Sequence, residues 1–280
     1  MSPEVSICIP AYKARGFLGE TLESIRAQTF SDWELILVED GSDDGTSVLI
    51  EQFAESVTQP VRYLRHESNQ GLPATRTTGF SAARGRWIAI MDADDLWTPG
   101  HLADLTRAAA ETGRPFAFSS SQIFESTTGR HLELRGASEL LVAEAAESLF
   151  RGRLVIQPSS VMFERSLVDR FGSFSGAFPI CNDLEFWLRL TTGGVRIAHT
   201  GNASCLYRKH AGAMSMKSAQ LIAEAGAIMR LYRRRVALPK GEARREIARR
   251  YWSAARIARG SQPLQACRWG LAGVGATLIG

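Results

Sequence analysis

The first 125 residues alternate between two kinds of segment, and that alternation constrains the fold more than any other feature. Short apolar runs rich in β-formers cover 5–9, 34–38, 61–64, 87–91 and 116–123. Between them, 17–28, 46–53, 72–83 and 102–111 carry helical spacing. Phe17, Leu18, Leu22 and Ile25, for example, share one helical face. Thr98 followed by Pro99 predicts a helix start, with Thr98 as cap and Pro99 in the first turn. Strands alternating with helices imply parallel βαβ units, crossing over right-handedly, with helices on both sheet faces. Such sheets receive ligands beyond the carboxyl ends of their strands, at a switch in strand order. The turn after each strand is therefore the first place to look for chemistry.

Beyond residue 137 the pattern is less regular. A helix is predicted over 138–150, a strand over 159–163, a helix over 183–191, then strands over 195–198 and 204–208. Two basic helices come next, over 218–236 and 241–259, after a boundary placed near 212–218. The expected architecture is α/β: a mostly parallel sheet flanked by helices over 1–212, with a basic helical extension over 213–280. With 45% apolar and 22% charged residues, the chain can bury a sizeable core.

Four scattered cysteines, with no C-x-x-C pair, argue against a zinc ribbon or a disulfide scaffold. They read as reduced thiols of a cytoplasmic protein, and no secretory signal pattern follows Met1. The net charge of +4 is uneven: Arg233 to Arg268 contains eleven Lys/Arg, against only Glu242 and Glu246. Tyr251, Trp252 and Trp269 lie among these arginines, and the apolar stretch 270–280 is too short to span a bilayer. Two readings stay open. One is peripheral contact with an anionic membrane through 233–280, at the inner face of the membrane. The other is a solvated basic helix pair covering the main body. No nucleic-acid partner is expected.

Three strand ends carry the chemistry: Pro10-Ala11-Tyr12, Glu39-Asp40-Gly41-Ser42 and Asp92-Ala93-Asp94-Asp95. Neither a G-x-G-x-x-G fingerprint nor a P-loop is present, which argues against a nicotinamide dehydrogenase and a P-loop nucleotidase. Acid-rich strand ends without a glycine cradle suit a nucleotide held through base, ribose and a metal-bridged diphosphate. The carboxylates of Asp92, Asp94 and Asp95 repel one another unless a cation or a buried donor compensates. Oxygen ligands favour Mg²⁺ or Mn²⁺. A solvated turn before the next helix is the competing reading, and the tetrapeptide alone does not decide. Asp40, Ser42, Asp44, Gly45 and Glu51 approximate EF-hand spacing, but a strand precedes them and Ser47 stands where an apolar residue is needed. The better reading has Asp40 facing the crevice, Gly41 and Gly45 shaping the turn, and Asp44 or Thr46 capping the next helix.

With these pieces go Gln28-Thr-Phe, Asn69-Gln-Gly-Leu, Arg76-Thr-Thr-Gly, Asn182-Asp183-Leu-Glu-Phe-Trp-Leu-Arg189 and Tyr207-Arg208-Lys209-His210. In this order and spacing, over roughly 4–212, the chain resembles family-2 inverting glycosyltransferases of the GT-A fold. The resemblance implies a nucleotide-binding half over 1–125 and an acceptor half over 126–212. It implies that Pro10, Ala11 and Tyr12 line the nucleotide pocket, that Asp40 binds the base, and that Arg76 sits near base and phosphates. Asp92, next to Ala93, would contact ribose or sugar. Asp94 would be the main metal ligand, His210 would approach the metal or diphosphate, and Asp95 would support the site from beside it. Asp183 would be the catalytic base. The chain departs from the family at Asn182, where Glu is frequent, and at Glu39, where Asp is frequent.

The implied reaction moves a sugar from a nucleotide-sugar donor, a UDP-sugar before GDP or dTDP, to a hydroxyl of a glycan or lipid-linked acceptor. Polysaccharide or surface-glycan biosynthesis is the expected setting. Asp183 also has a physical case, because it opens an apolar helix whose positive end favours its carboxylate. An ordinary capping aspartate is the bland alternative. His66, His101, His131 and His199 sit in no motif. Trp87, Trp97 and Trp187 read as core before sugar-stacking platforms, and Cys181 as filler. Two rival functions remain. One is a haloacid-dehalogenase-like phosphohydrolase using Asp92 and Asp94, although that layout puts its aspartates after the first strand. The other is a non-catalytic module that binds nucleotide or glycan.

Overall fold

In the computed structural model, residues 2–214 and 218–278 are described. Four strands, β1 (Val5–Ala11), β2 (Trp33–Asp40), β3 (Val61–His66) and β4 (Trp87–Ile90), form a parallel block. The remaining strands are β5 (Leu96–Trp97), β6 (Phe116–Glu125), β7 (His131–Arg135), β8 (Val161–Glu164) and β9 (Ala198–Lys209). The sheet runs β3-β2-β1-β4-β8-β6-β9-β5, with β7 paired to β6 outside this path. β8 is antiparallel to both β4 and β6, and β9 runs parallel to β6. β1 lies between β2 and β4, so strand order reverses there. The crevice of such a sheet opens at that reversal.

β1, β2 and β4 are buried on both faces, which explains their near-continuous apolar runs. Alternation assigns the side chains. Val5, Ile7, Ile9, Leu35 and Leu37 pack with Leu18, Leu22 and Ile25 of α1 (Arg15–Arg26) on one side. Cys8, Ile36 and Val38 face the other, with Phe80 of α3 (Leu72–Ala82). α2 (Thr46–Ser56) and α4 (His101–Thr112) add to the first layer through Ile50, Phe53, Leu102 and Leu105. Trp87, Trp97 and Trp187 are all buried, so the core reading of these tryptophans holds.

The second half differs in detail from expectation. The helix predicted over 138–150 is two, α5 (Glu139–Ala143) and α6 (Ala145–Arg151), broken at Glu144. The short α7 (Ser166–Phe171), β5 and β7 were not expected. The strand expected over 204–208 lies within β9, which has register shifts against β6; that expected over 195–198 is corrected, since 195–197 are not strand and β9 begins at Ala198. The helix start at Thr98 is corrected, since α4 begins at His101 after Gly100. Thr98 is instead tied down by its backbone, its N–H donating to the Ser204 carbonyl at 3.0 Å.

The chain closes with α8 (Asn182–Thr192), α9 (Ser218–Tyr232), α10 (Lys240–Ala258) and α11 (Pro263–Leu278). The boundary expected near 212–218 falls partly on 215–217, outside the described residues. Ile228, Met229 and Tyr232 of α9 and Ile247 and Tyr251 of α10 share one core with Phe186 and Trp187 of α8. α11, absent from expectation, packs along α10, where a Cβ on Gly273 would meet the Trp252 indole at 2.5 Å.

Candidate active site

Just beyond β4, the turn Asp92–Asp95 is held from three directions. The buried Thr21 hydroxyl of α1 lies 3.0 and 2.9 Å from the carbonyl oxygens of Ala93 and Asp95. Asp95 is fully buried and accepts the Ser159 hydroxyl at 2.6 Å and the Arg208 backbone N–H at 2.8 Å. Ser159 Oγ receives the Asp92 N–H at 2.9 Å, and Trp97 Nε1 donates to the Ser159 carbonyl at 2.6 Å. Burial, then the charges of Asp94 and Asp92, push the Asp95 carboxyl up. Asp95 thus braces the turn from within.

Asp94 is more open. Its Oδ2 lies 2.9 Å from His210 Nε2, and its carbonyl accepts Arg208 Nε at 2.7 Å. Burial and then the Asp92 charge raise the Asp94 carboxyl, while His210 pulls the other way. Arg208 is buried, stacks over Phe17 and Phe124, and reaches Glu20 at 2.9 Å. Among the described residues no three His, Cys, Asp or Glu side chains converge as a full metal-ligand set.

Arg76 is the bridge across the crevice. It is 2% exposed on α3, with Nη2 2.6 Å from Asp92 Oδ1 and Nη1 2.7 Å from Asn182 Oδ1. Asn182 opens α8, and Asp183 follows it. The acid run after β4 and the start of α8 therefore meet at one guanidinium. Asp183 is partly buried, and its Oδ1 accepts its neighbour Leu184 N–H at 2.8 Å. Burial raises its carboxyl to about 6; Arg76 and the Leu184 N–H oppose that rise, and the Asp92 charge adds to it. A proton acceptor with such a value is ionised at neutral pH yet basic enough to take a proton.

The loop before α8 is fixed from α9. Glu224 Oε2 accepts the N–H groups of both Ile180 and Cys181, each at 3.0 Å. Tyr232 donates to Glu185 at 2.6 Å, while Arg189 holds Glu185 at 2.8 Å and the Ser173 carbonyl at 2.7 Å. Cys181 is buried, in keeping with its reading as filler. Glu224→Ala is expected to lower kcat about tenfold, because sub-ångström misplacement of a reacting group is costly. Glu224→Gln, which keeps an acceptor oxygen, should recover most of it. Steady-state kinetics beside melting curves check this: equal kcat in all three proteins would make the contact purely structural.

Pro10 and Ala11 are buried at the end of β1, while Tyr12 is 48% exposed. Lys13 holds a left-handed φ of 51° and donates its N–H to Ser42 Oγ at 2.9 Å. Asp40 ends β2. Its carboxylate accepts the N–H groups of Gln70 and Gly71 at 2.9 and 2.8 Å and sits 2.7 Å from His66 Nδ1. Burial would raise the Asp40 carboxyl, but these donors outweigh it and lower it. Asp40 therefore orders the loop that starts α3. Gly41 requires its positive φ of 68°, and a Cβ there would meet the Asn69 backbone at 2.7 Å. The cap of α2 is Gly45, not Asp44 or Thr46, and its left-handed φ of 83° suits glycine; Asp44, one residue earlier, accepts the Thr46 N–H at 3.1 Å from outside the helix.

Sequence reasoning missed Ser159, Thr21, Glu224 and His66, and left Arg208 without a role although it lies inside the Tyr207–His210 motif. Two cavities lie elsewhere. One of about 590 Å³, lined by Glu4, Arg86, Trp87, Arg114 and others, sits at the amino ends of β1 and β4. The other, about 300 Å³, lies between α6 and the 194–197 segment. None of the crevice residues lines either.

An acid run at the carboxyl end of β4, joined through Arg76 to a helix that opens Asn182-Asp183, sits in an α/β architecture of the GT-A type. The chain belongs to glycosyl transferase family 2, whose model matches residues 6–172. A relative in Escherichia coli, the UDP-Glc:α-D-GlcNAc-diphosphoundecaprenol β-1,3-glucosyltransferase WfaP, is 24% identical over 213 residues, 75% of this chain and 79% of its own. Three relatives in Bacillus subtilis, TuaG, EpsH and EpsJ, are matched over only 46%, 53% and 32% of their own lengths. Among solved structures, Staphylococcus aureus TarS 1–349 in complex with UDP-GlcNAc aligns at TM-score 0.71 and 17% identity, over 99% of this chain and 80% of its own. The mannosyltransferase PcManGT of Pyrobaculum calidifontis, in complex with GDP-Man and Mn²⁺, aligns at 0.68 and 17%, over 100% and 81%.

Proposed function

We propose that the chain moves a sugar from a nucleoside-diphosphate donor to an acceptor hydroxyl in one inverting displacement, with Asp183 as base. The observation that carries this is Arg76, joined at once to Asp92 and to Asn182 beside Asp183. Inversion at an anomeric carbon needs a base on the side away from the departing diphosphate. A helix start facing the acid run across one guanidinium suits that division. The acceptor hydroxyl gives its proton to Asp183 as its oxygen bonds to the anomeric carbon, and the bond from that carbon to the diphosphate oxygen breaks. The single displacement leaves no covalent sugar on the protein.

Pro10, Ala11, Tyr12 and Asp40 would take the nucleoside, with Asp92, Ala93 and Arg76 at ribose and phosphates. The donor set suits a divalent ion: a carboxylate and an imidazole side by side, Asp94 and His210, beside carboxylates that crowd one another. Asp94 and His210 would hold such an ion, and the surrounding carboxylates suit the oxygen preference of Mg²⁺ or Mn²⁺. When bound, such an ion offsets charge on the departing diphosphate. The Mn²⁺ complex of PcManGT supports this reading. UDP is the first candidate nucleotide, supported by the names of WfaP and the TarS complex, with GDP second. A diphosphate-lipid acceptor in glycan assembly accords with the WfaP name. Action at the cytoplasmic face would fit, and no helix among the described residues is long and apolar enough to cross a membrane. Residues 1–212 would form the catalytic body and 213–280 its extension. The phosphohydrolase reading falls with the family match, and β1 ends in Pro10-Ala11-Tyr12, not in aspartates.

Calorimetry of UDP, GDP and dTDP sugars with and without Mn²⁺ tests the donor side. Mn²⁺ should tighten one donor strongly, and Asp94→Ala should abolish that gain while metal-free affinity stays within about twofold. A gain that survives in Asp94→Ala would place the ion elsewhere.

A further inference from the structure

The closing helices present a surface that the transferase chemistry does not use. On α11, Leu264, Cys267, Arg268, Leu271 and Val274 are all exposed, at spacings of three and four that put them on one face. Leu264 is 83% and Leu271 68% exposed. The outward face of a helix on a globular body is normally polar, so this one is inverted: its small residues Ala266 and Gly273 turn inward, whereas Leu264 and Leu271 turn out. Beside it, α10 exposes Arg245, Arg249, Trp252 and Arg256, followed by Arg259 at its C-cap, spaced four, three, four and three. The Trp252 ring covers Gly273, so the two helices form one tightly joined platform.

Its charge has one sign. The only acids between Arg233 and Leu278 are Glu242, held by Arg151 at 2.5 Å, and Glu246, held by Arg249. Arg256, Arg259 and Arg268 make no ion pair among the described residues. Tyr251 and Trp269, expected from sequence to share in a surface contact, pack into or against the core. That leaves Trp252 as the exposed aromatic.

We propose that α10 and α11 dock the protein on an anionic lipid surface, with the apolar face of α11 entering the boundary between headgroups and acyl chains. The arginines of α10 and Arg268 meet the headgroups, and Trp252 lies at the junction, half wet and half covered. A second copy of this chain suits the patch poorly, because apposing two such faces brings like charges together. Nucleic acid would engage the arginines but leave the leucines of α11 exposed. The inference stands on these helices alone, independent of which donor or acceptor the crevice takes.

Sedimentation of the full chain with vesicles of phosphatidylcholine, or of phosphatidylcholine with roughly 30% phosphatidylglycerol, tests it without any substrate. Anionic vesicles should bind at least about tenfold more tightly than neutral ones. Leu264→Glu with Leu271→Glu, and separately Arg256→Glu with Arg259→Glu, should each weaken binding about tenfold or more. Melting temperatures should stay unchanged, since every altered side chain is exposed. Equal binding to both vesicles, or double variants that bind like the parent, would overturn the proposal. So would light scattering that shows a dimer lost in Leu264→Glu/Leu271→Glu while no vesicle binds the parent.

Discussion

Asp183→Asn is expected to lower sugar transfer by about 10²–10⁴-fold, the range spanned by general bases, with donor affinity nearly unchanged. In the parent, kcat/KM should rise about tenfold per pH unit below an acid limb near 6, then level, because only the ionised carboxylate accepts the proton. The same substitution should stabilise the fold. Asp183 titrates near 6, above the usual carboxylate range, so the folded protein holds this proton more tightly than the unfolded chain does. Its contribution to stability therefore falls as pH rises through the interval from about 4 to about 6, and above it the ionised group costs about 1–3 kcal/mol. Asn carries no such charge. Melting at pH 8 should rise by several degrees, with the gain shrinking toward pH 5. A variant that keeps normal turnover would remove Asp183 from the chemistry. One that loses turnover without gaining stability would contradict the origin assigned to its raised value.

The second large effect lies at Arg76. Arg76→Met leaves Asp92 and Asn182 facing an apolar side chain, and breaking a buried ion pair from one side costs about 3–5 kcal/mol. Melting should drop by roughly 10 °C. Because the Arg76 charge holds the Asp183 carboxyl down, its loss should also move the acid limb of kcat/KM to higher pH. Arg76→Lys keeps the charge but not the fork, so the limb should stay nearer its parent position while part of the stability is lost. Differential scanning calorimetry with pH–rate profiles separates the two. A limb that stays in place in Arg76→Met would mean that Arg76 acts by packing alone.

Much of this was legible in the chain itself, for physical reasons. β1, β2 and β4 are buried on both faces, so their runs are continuously apolar, and α1 announces its inward face through Leu18, Leu22 and Ile25. The Asp92–Asp95 run stands out because three carboxylates after an apolar strand need compensation. The groups that compensate them were hidden. Ser159 is an unremarkable serine whose role depends on β8 lying beside β4. His66 meets Asp40 only through the register of β3 on β2. Glu224 reaches the loop before Asp183 from a helix more than forty residues away in sequence. β5 is two residues long and carries no periodicity to read. α11, with Gly270, Gly273 and Gly275, has low intrinsic helix preference and is held by packing under Trp252.

Crystals grown with UDP and Mn²⁺, mapped by the anomalous signal of manganese, test most directly whether one crevice gathers the nucleotide, the ion and the base. The expected map has the manganese peak beside Asp94 and His210, the diphosphate against it, the uracil near Pro10 to Tyr12, and Asp183 facing the same space. A nucleotide lodged in the 590 Å³ cavity by Glu4, Arg86 and Arg114, or bound with Asp183 turned away from it, would contradict the assignment.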